Sequence, residues 1–236
     1  MASAAPIISL ISGALALVGL AFGHFGIVSP MAGFQTFLAG TLLGGLFSVV
    51  LSLVGLFLSR GGRDIVGRNR ALIGLAIGLG LLIIVLAAAS TGGDAPPIND
   101  ISTDLENPPS FADASVVADY AGRDMSYPAE FKSIVQAEYP DLVALRLATP
   151  PAQAFSKALA TAESMGWEIV ARDPANGRFD AQNTSSLFRF VDDIAVRIRP
   201  EGSGTRIDMR SKSRDGRSDL GANAKRIRSF LAELKG

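Results

Sequence analysis

The chain reads as an α-helical three-span membrane anchor followed by an α+β exported domain, a mostly antiparallel sheet with helices on one face in the order β-α-β-β-β-β-α. Three observations predict this layout. Apolar runs at 7–28, 34–58 and 71–89 contain no Asp, Glu, Lys or Arg. Charge shifts abruptly near Asp94: residues 1–94 carry 4 of the 22 basic and 2 of the 22 acidic side chains. Beyond it, short stretches alternate apolar and polar with period two, between two segments of helical periodicity.

Each apolar run supplies the ~20 residues that a helix needs to cross a bilayer. No Lys or Arg precedes the first run and two more follow it, so it reads as a span and not as a cleaved leader. The turn between the first two spans, Ser29-Pro30-Met31, is uncharged, whereas 59–70 holds Arg60, Arg63, Arg68 and Arg70. The positive-inside rule makes that second loop cytoplasmic, and the N-terminus with it. Everything after residue 89 is then exported, into the periplasm of a Gram-negative cell, and residues 1–90 form a multi-pass inner-membrane anchor. The pairs Gly19/Gly23, Gly40/Gly44 and Gly74/Gly78 place small residues four apart. Their expected role is close packing within a three-helix bundle. His24, the single histidine, falls at the outer end of the first span as an interfacial residue.

Prolines 96, 97, 108 and 109 among Gly, Asp, Asn and Ser make 91–111 an extended tether. The α+β domain occupies 112–236. Residues 130–138 form a short helix stopped by Tyr139-Pro140, and 142–147 a strand. Thr149 is the expected cap of a helix with prolines in its first turn, with Phe155, Leu159, Ala162 and Met165 on its buried face and Gly166 at its end. A strand at 167–172 puts Trp167, Ile169 and Ala171 on one face. Pro174-Ala175-Asn176-Gly177 turns the chain into a partner strand at 178–183, the Asn-Gly pair supplying positive φ. Strands at 193–199 and 205–212 alternate through Ile194, Val196, Ile198, Ile207 and Met209 around the turn Glu201-Gly-Ser-Gly204. The last helix, from about Leu220, buries Ala224, Ile227, Phe230, Leu231 and Leu234. The other face of the sheet is expected to be open and to carry Glu168, Arg172, Arg178, Asp180, Asp193, Arg197, Arg199, Arg206, Asp208 and Arg210, largely as cross-strand pairs.

The stretch 211–227 gathers Lys212, Arg214, Arg217 and Arg226 with serines and glycines. Asp219 stands where a helix cap belongs. Together with Pro97-Ile98-Asn99-Asp100-Ile101-Ser102-Thr103-Asp104, Pro108-Pro109, Tyr139-Pro140-Asp141-Leu142, Gly166-Trp167 and Asp192-Asp193, this stretch resembles the bacterial and chloroplast family called domain of unknown function fourteen ninety-nine. The resemblance covers about 96–236 and excludes the spans. Asp215 departs from the apolar residue that the resemblance leads one to expect. The resemblance implies no activity, only that the proline-rich opening and the closing loop belong to one domain.

With no His and no Cys after residue 94, Ser-His-Asp and Cys-His nucleophile arrangements are excluded. No phosphate-binding glycine loop, dinucleotide fingerprint or HExxH is present, and no catalytic residue, cofactor or metal is assigned. Asp192 and Asp193 point to opposite faces of a strand, which sets them against sharing one ion and toward pairing with Arg210 or Arg214. Near-neutral charge sets the domain against nucleic acid. Phe188 and Phe190 are read as packing residues. The reading is a membrane-anchored exported module that binds an anionic lipid, another envelope ligand or an envelope protein. Arg210, Arg214, Arg217, Arg226 and Asn223 are the ligand candidates, and Asp192, Asp193 and Asp219 form a structural clasp and cap. The alternative is a carboxylate- and metal-dependent hydrolase or transferase.

Overall fold

The computed structural model describes residues 4–61, 64–90 and 93–236. Arg63 of the basic loop and Thr91 of the tether lie outside the described residues. The chain divides into two units, one built from the N-terminal helices with Ser186–Arg189, the other from Asp94–Ser185 and Phe190–Gly236.

In the first unit, α1 (Ala5–His24), α2 (Pro30–Leu38), a π-type turn (Ala39–Gly44), α3 (Gly45–Leu58) and α4 (Ile65–Ser90) follow one another. They make three helices long and apolar enough to cross a membrane: Ala5–His24, Pro30–Leu58 and Ile65–Ser90. The second and third begin ahead of their apolar runs because helix formation does not stop where hydrophobicity does, whereas the first ends at His24, short of residue 28. Ser29 Oγ accepts from Ala32 N at the start of α2. Asp64 Oδ1 accepts from Gly67 N at 2.8 Å ahead of α4. With its first turn capped in this way, α4 runs on through Arg68 and Arg70. The packing is inverted relative to a water-soluble bundle. Gly19, Gly23, Gly40, Gly74, Gly78, Ser9 and Ser48 are buried, while Ile7, Leu10, Leu17, Phe47 and Leu86 face outward. Without a hydrophobic drive between helices in lipid, small residues allow the backbone contact that holds them. A Cβ on Gly40 would stand 2.6 Å from Ala16 N. The Ser9 and Ser48 hydroxyls meet each other, and both lie 3.1 Å from Gly74 O, so their two hydrogens are shared among these acceptors. The paired glycines therefore pack inside the unit. Phe188, grouped with this unit, sets its ring edge-on to Phe34 and Phe37 at 5.4 and 5.5 Å.

The second unit is a fully antiparallel sheet in the order β1-β6-β5-β4-β3, with β2 also on β6. Its strands are β1 (Asp100–Ser102), β2 (Leu145–Leu147), β3 (Glu168–Asp173), β4 (Arg178–Thr184), β5 (Val191–Glu201) and β6 (Gly204–Ser213). Helices α5 (Phe131–Glu138), α6 (Pro151–Ser164) and α7 (Ala222–Lys235) contribute Val135, Ala154, Ala158, Ala162, Ala224, Ile227, Phe230 and Leu234 to one core with Phe179, Ile194, Val196, Ile207 and Met209. Trp167 stacks on Phe230 there, 5.0 Å between centroids.

Six expectations are corrected. The stretch 91–111 is not wholly a tether, because β1 lies in it and pairs Asp100 with Lys212 and Ser102 with Arg210. Thr149 does not cap α6: Pro150 precedes the helix, and the Thr149 carbonyl accepts from Thr205 Oγ1 at 2.7 Å. The deepest line of α6 is Ala154, Ala158 and Ala162, with Phe155, Leu159 and Met165 only partly buried, since alanines let the helix lie close on the sheet. A β-bulge between Ile169 and Ala171 flips the strand beyond it, so Ala171 pairs with Asp180 while Arg172 pairs with Phe179 on the helix side and reaches Glu163. Of the Asn-Gly pair only Gly177 has positive φ, at 61°, and Ile198 O occupies the place of its missing Cβ.

The sixth correction concerns the charged face, which is not open. Residues 103–127 cross it and bury Phe111, Val117 and Tyr120 against Ala195, Val170 and Ala171. Asp180, Asp193, Asp208 and Arg210 lie underneath, buried together with Asp100 from β1.

Candidate functional site

Strand parity distributes the predicted charges. Cross-strand partners share a face, so Asp100, Asp180, Asp193, Arg197, Arg199, Arg206, Asp208, Arg210 and Lys212 lie on the covered side, while Asp192, Ser211 and Ser213 face α7. Asp192 and Asp193 therefore belong to two separate clusters, not to one clasp.

On the α7 side, Arg226 Nη2 donates to Asp192 Oδ2 and Nη1 to Ser211 Oγ at 2.9 Å. Asn223, fully buried, accepts from Ser211 Oγ (2.7 Å) and from Arg226, and donates to Asn99 O (3.1 Å) and Ser213 Oγ (3.0 Å). Its amide thus ties the start of α7 to β6 and to the residue before β1. Asp219 accepts from Gly221 N at 2.9 Å and from Asn223 N at 2.7 Å, the bonds of a capping carboxylate. The residue directly preceding the helix is nonetheless Gly221, in the left-handed region at φ 81°. Burial pushes the Asp219 carboxyl up, against the pull of those two amides.

On the covered side, Arg214 grips Asp193 with two donors at 2.9 and 2.7 Å and reaches Asp119 Oδ2 at 3.1 Å. Burial raises the Asp193 carboxyl, with the Arg214 bonds acting against it. Arg210 grips Asp100 likewise at 2.9 and 2.7 Å and donates to Ser126 O at 2.8 Å. The rings of Phe111 and Tyr127 lie 4.7 and 5.2 Å from its guanidinium carbon. Lys212 Nζ joins the same carboxylate at 3.2 Å. Buried charges are tolerated when their donors and acceptors are matched in this way. Asp180, buried, accepts from Ala112 N at 2.6 Å; burial pushes its carboxyl up to about 6, against the Ala112 amide and the charge of Arg178.

Of the residues predicted to bind a ligand, Arg210, Arg214, Arg226 and Asn223 are thus committed to internal partners. Arg217 differs. It is not buried, on the loop between β6 and α7, and makes no hydrogen bond or ion pair among the described residues. The loop beneath it is braced by Asn99 Nδ2 donating to Gly216 O at 2.8 Å.

The third cluster on the covered side sits at the opposite end of β5 and β6. Asp208, with no exposure, accepts from Arg206 Nε (2.9 Å), Arg199 Nη2 (2.8 Å) and Arg197 Nη2 (3.2 Å). Asp104, from the covering segment, presents one oxygen to all three guanidiniums at 3.0, 3.3 and 3.1 Å. Burial would raise the Asp104 carboxyl, but the Asn107 amide and the charges of Arg206, Arg197 and Arg199 together hold it below the ordinary range. Sequence reasoning assigned no role to Asp100 or Asp104. The available signal was their position in the Pro97–Asp104 motif, since an acidic pair four apart in a proline-rich stretch needs cations from elsewhere in the chain.

Hollows of about 520 Å³ beside Phe155 and beside Leu231 hold none of the predicted ligand residues. Among the described residues no three His, Cys, Asp or Glu side chains gather into a metal donor set.

No curated protein matches the chain. Among solved structures, the crystal structure of TTHA0849 from Thermus thermophilus is similar at a TM-score of 0.23 and 15% identity, over 39% of this chain and 84% of that one. The family model described as "Protein of unknown function (DUF1499)" matches residues 100–234, a span that contains β1 with Asp100 and Asp104, all three charged clusters and all but the last residue of α7. With more than half of its length inside that match, the chain belongs to the DUF1499 family.

Proposed function

We propose that this chain is a membrane-anchored, non-catalytic module whose α+β unit lies at the outer face of a bacterial inner membrane, with the N-terminus cytoplasmic, and binds an anionic envelope ligand there. The observation that carries the reading is Arg217: an accessible, unpaired guanidinium on a braced loop, next to Arg210, Arg214 and Arg226, whose guanidiniums are each taken by an internal carboxylate. Its two parallel donors match a phosphate or carboxylate. The orientation rests on Arg60, Arg63, Arg68 and Arg70 between the second and third apolar helices. The hydrolase alternative has no comparable support, because Asp100, Asp192, Asp193 and Asp208 each hold an arginine.

The test uses the full chain in nanodiscs of zwitterionic lipid doped with anionic phospholipid. Arg217→Gln is expected to lower enrichment of the anionic lipid around the protein by about tenfold, and Arg217→Lys by less. Unchanged enrichment with Arg217→Gln refutes the binding half. For orientation, single cysteines at Gly61 and Ser203 are exposed to an impermeant maleimide on cells with a permeabilised outer membrane. Labelling is expected at 203 and not at 61, and the reverse pattern inverts the topology.

A further inference from the structure

We propose that Arg197, Arg199 and Arg206 form an oxyanion-binding cradle for a phosphoryl group, and that Asp104 occupies it in cis as a displaceable stand-in for the ligand. This builds on the reading that the α+β unit binds an anionic group but uses side chains other than Arg217.

The geometry has two layers. Asp208 lies at the floor and receives one nitrogen from each arginine, which fixes the three guanidiniums side by side on β5 and β6. Their Nη2 atoms then converge on a single oxygen above, Asp104 Oδ2. Three guanidinium donors meet on one Asp104 oxygen, as they can on a phosphoryl oxygen, whereas Arg210 on Asp100 and Arg214 on Asp193 each close a two-oxygen fork. Asp104 is thus held differently from Asp100 and Asp193.

Charge points the same way. Three cations face two carboxylates, leaving one positive charge; Glu201, 3.9 Å from Arg206, is itself held by Arg146 at 2.6 Å. Removing the Asp104 carboxylate raises the excess to two. The buried Arg197 Nε has no acceptor among the described residues, so the cradle keeps a donor that Asp104 does not satisfy. Arg199, 37% exposed, opens the site to solvent.

Displacement needs little rearrangement. The backbone on either side of Asp104 is pinned independently: Thr103 exchanges hydrogen bonds with Met209 (3.0 and 2.9 Å), and Leu105 packs on the main core. A phosphoryl oxygen can therefore replace Oδ2 by rotation of one side chain, which gives up the 3.0 Å bond from Asn107 N to Oδ1 and moves the Asp104 charge into water. The competition is intramolecular, so affinity in the intact protein is reduced by the fraction of time the cradle is filled.

The experiment titrates inorganic pyrophosphate into the full chain in zwitterionic nanodiscs, followed by calorimetry at constant ionic strength. Asp104→Ala is expected to bind at least about tenfold more tightly than wild type. Asp104→Ala/Arg199→Gln should return to the wild-type level. A folded Asp104→Ala protein that binds no better than wild type overturns the proposal. Should Asp104→Ala not fold, hydrogen exchange of wild type decides: faster exchange around Asn107 with pyrophosphate than with matched chloride supports the cradle, and no difference overturns it. A parallel arm with phosphatidic acid in the disc and no pyrophosphate identifies the source. A tenfold gain for Asp104→Ala there assigns a lipid headgroup, and a gain only with pyrophosphate assigns a soluble phosphoryl ligand. Arg217→Gln is read by lipid enrichment and Asp104→Ala by pyrophosphate, so each proposal fails on its own measurement.

Discussion

Replacing Phe230 by alanine removes a ring with no solvent exposure that stacks on Trp167 at 5.0 Å and an interplanar angle of 28°. It lies among Ile227, Leu234 and the alanines of α6, small side chains that cannot expand into the vacated space. The cost is therefore set near the upper range for a buried aromatic, about 3–5 kcal/mol, of which ~0.5–1.5 kcal/mol is the aromatic pairing itself. For a unit of this size, that lowers the thermal midpoint by roughly 10–20 °C. Trp167 is the single tryptophan in the chain, so its fluorescence reports the α+β unit alone, even with the three apolar helices present in detergent. A midpoint that falls by less than about 3 °C refutes the argument that α7 is fastened to the sheet through this pair.

The same fluorescence reads two further predictions. Asp193→Ala leaves the largely buried Arg214 with the exposed Asp119 as its remaining carboxylate and should cost about 3 kcal/mol, while Asp193→Ala/Arg214→Met should cost clearly less than the sum of the single changes; simple additivity contradicts a coupled pair. Asp180 gives a pH signature. Its carboxyl is raised from the ordinary 3.8 to about 6, so between those values the folded protein binds more protons than the unfolded one. The contribution of Asp180 to stability therefore declines as pH rises from about 4 to about 6 and stays low above that. Asp180→Asn, which can still accept from Ala112 N, should remove that component and gain ~1–3 kcal/mol at neutral pH. An identical pH profile in the two proteins refutes it.

Local periodicity carried much of this protein. The three apolar helices, the period-two strands through Ile194 to Ile198 and Ile207 to Met209, and the buried side of α7 each follow from residues within a few positions of one another, because side-chain direction is a property of the local backbone. Tertiary structure alone decided what required distant partners. Asp100 finds Lys212 across β1 and β6, more than a hundred residues apart, and no pattern within 91–111 states that pairing. The cover over the charged face is irregular chain, whose hold on Ala195 through Phe111, Val117 and Tyr120 has no period to read. The bulge before Ala171 reversed a face that alternation alone had assigned, because one extra residue inverts all that follow. And the arginines of 211–227, conspicuous as a basic cluster, proved mostly to be the partners of Asp192 and Asp193, while Arg210 takes Asp100 and Arg197, Arg199 and Arg206 converge on Asp104. Charge can be counted along a chain, but which charges stay uncompensated depends on which strands lie side by side.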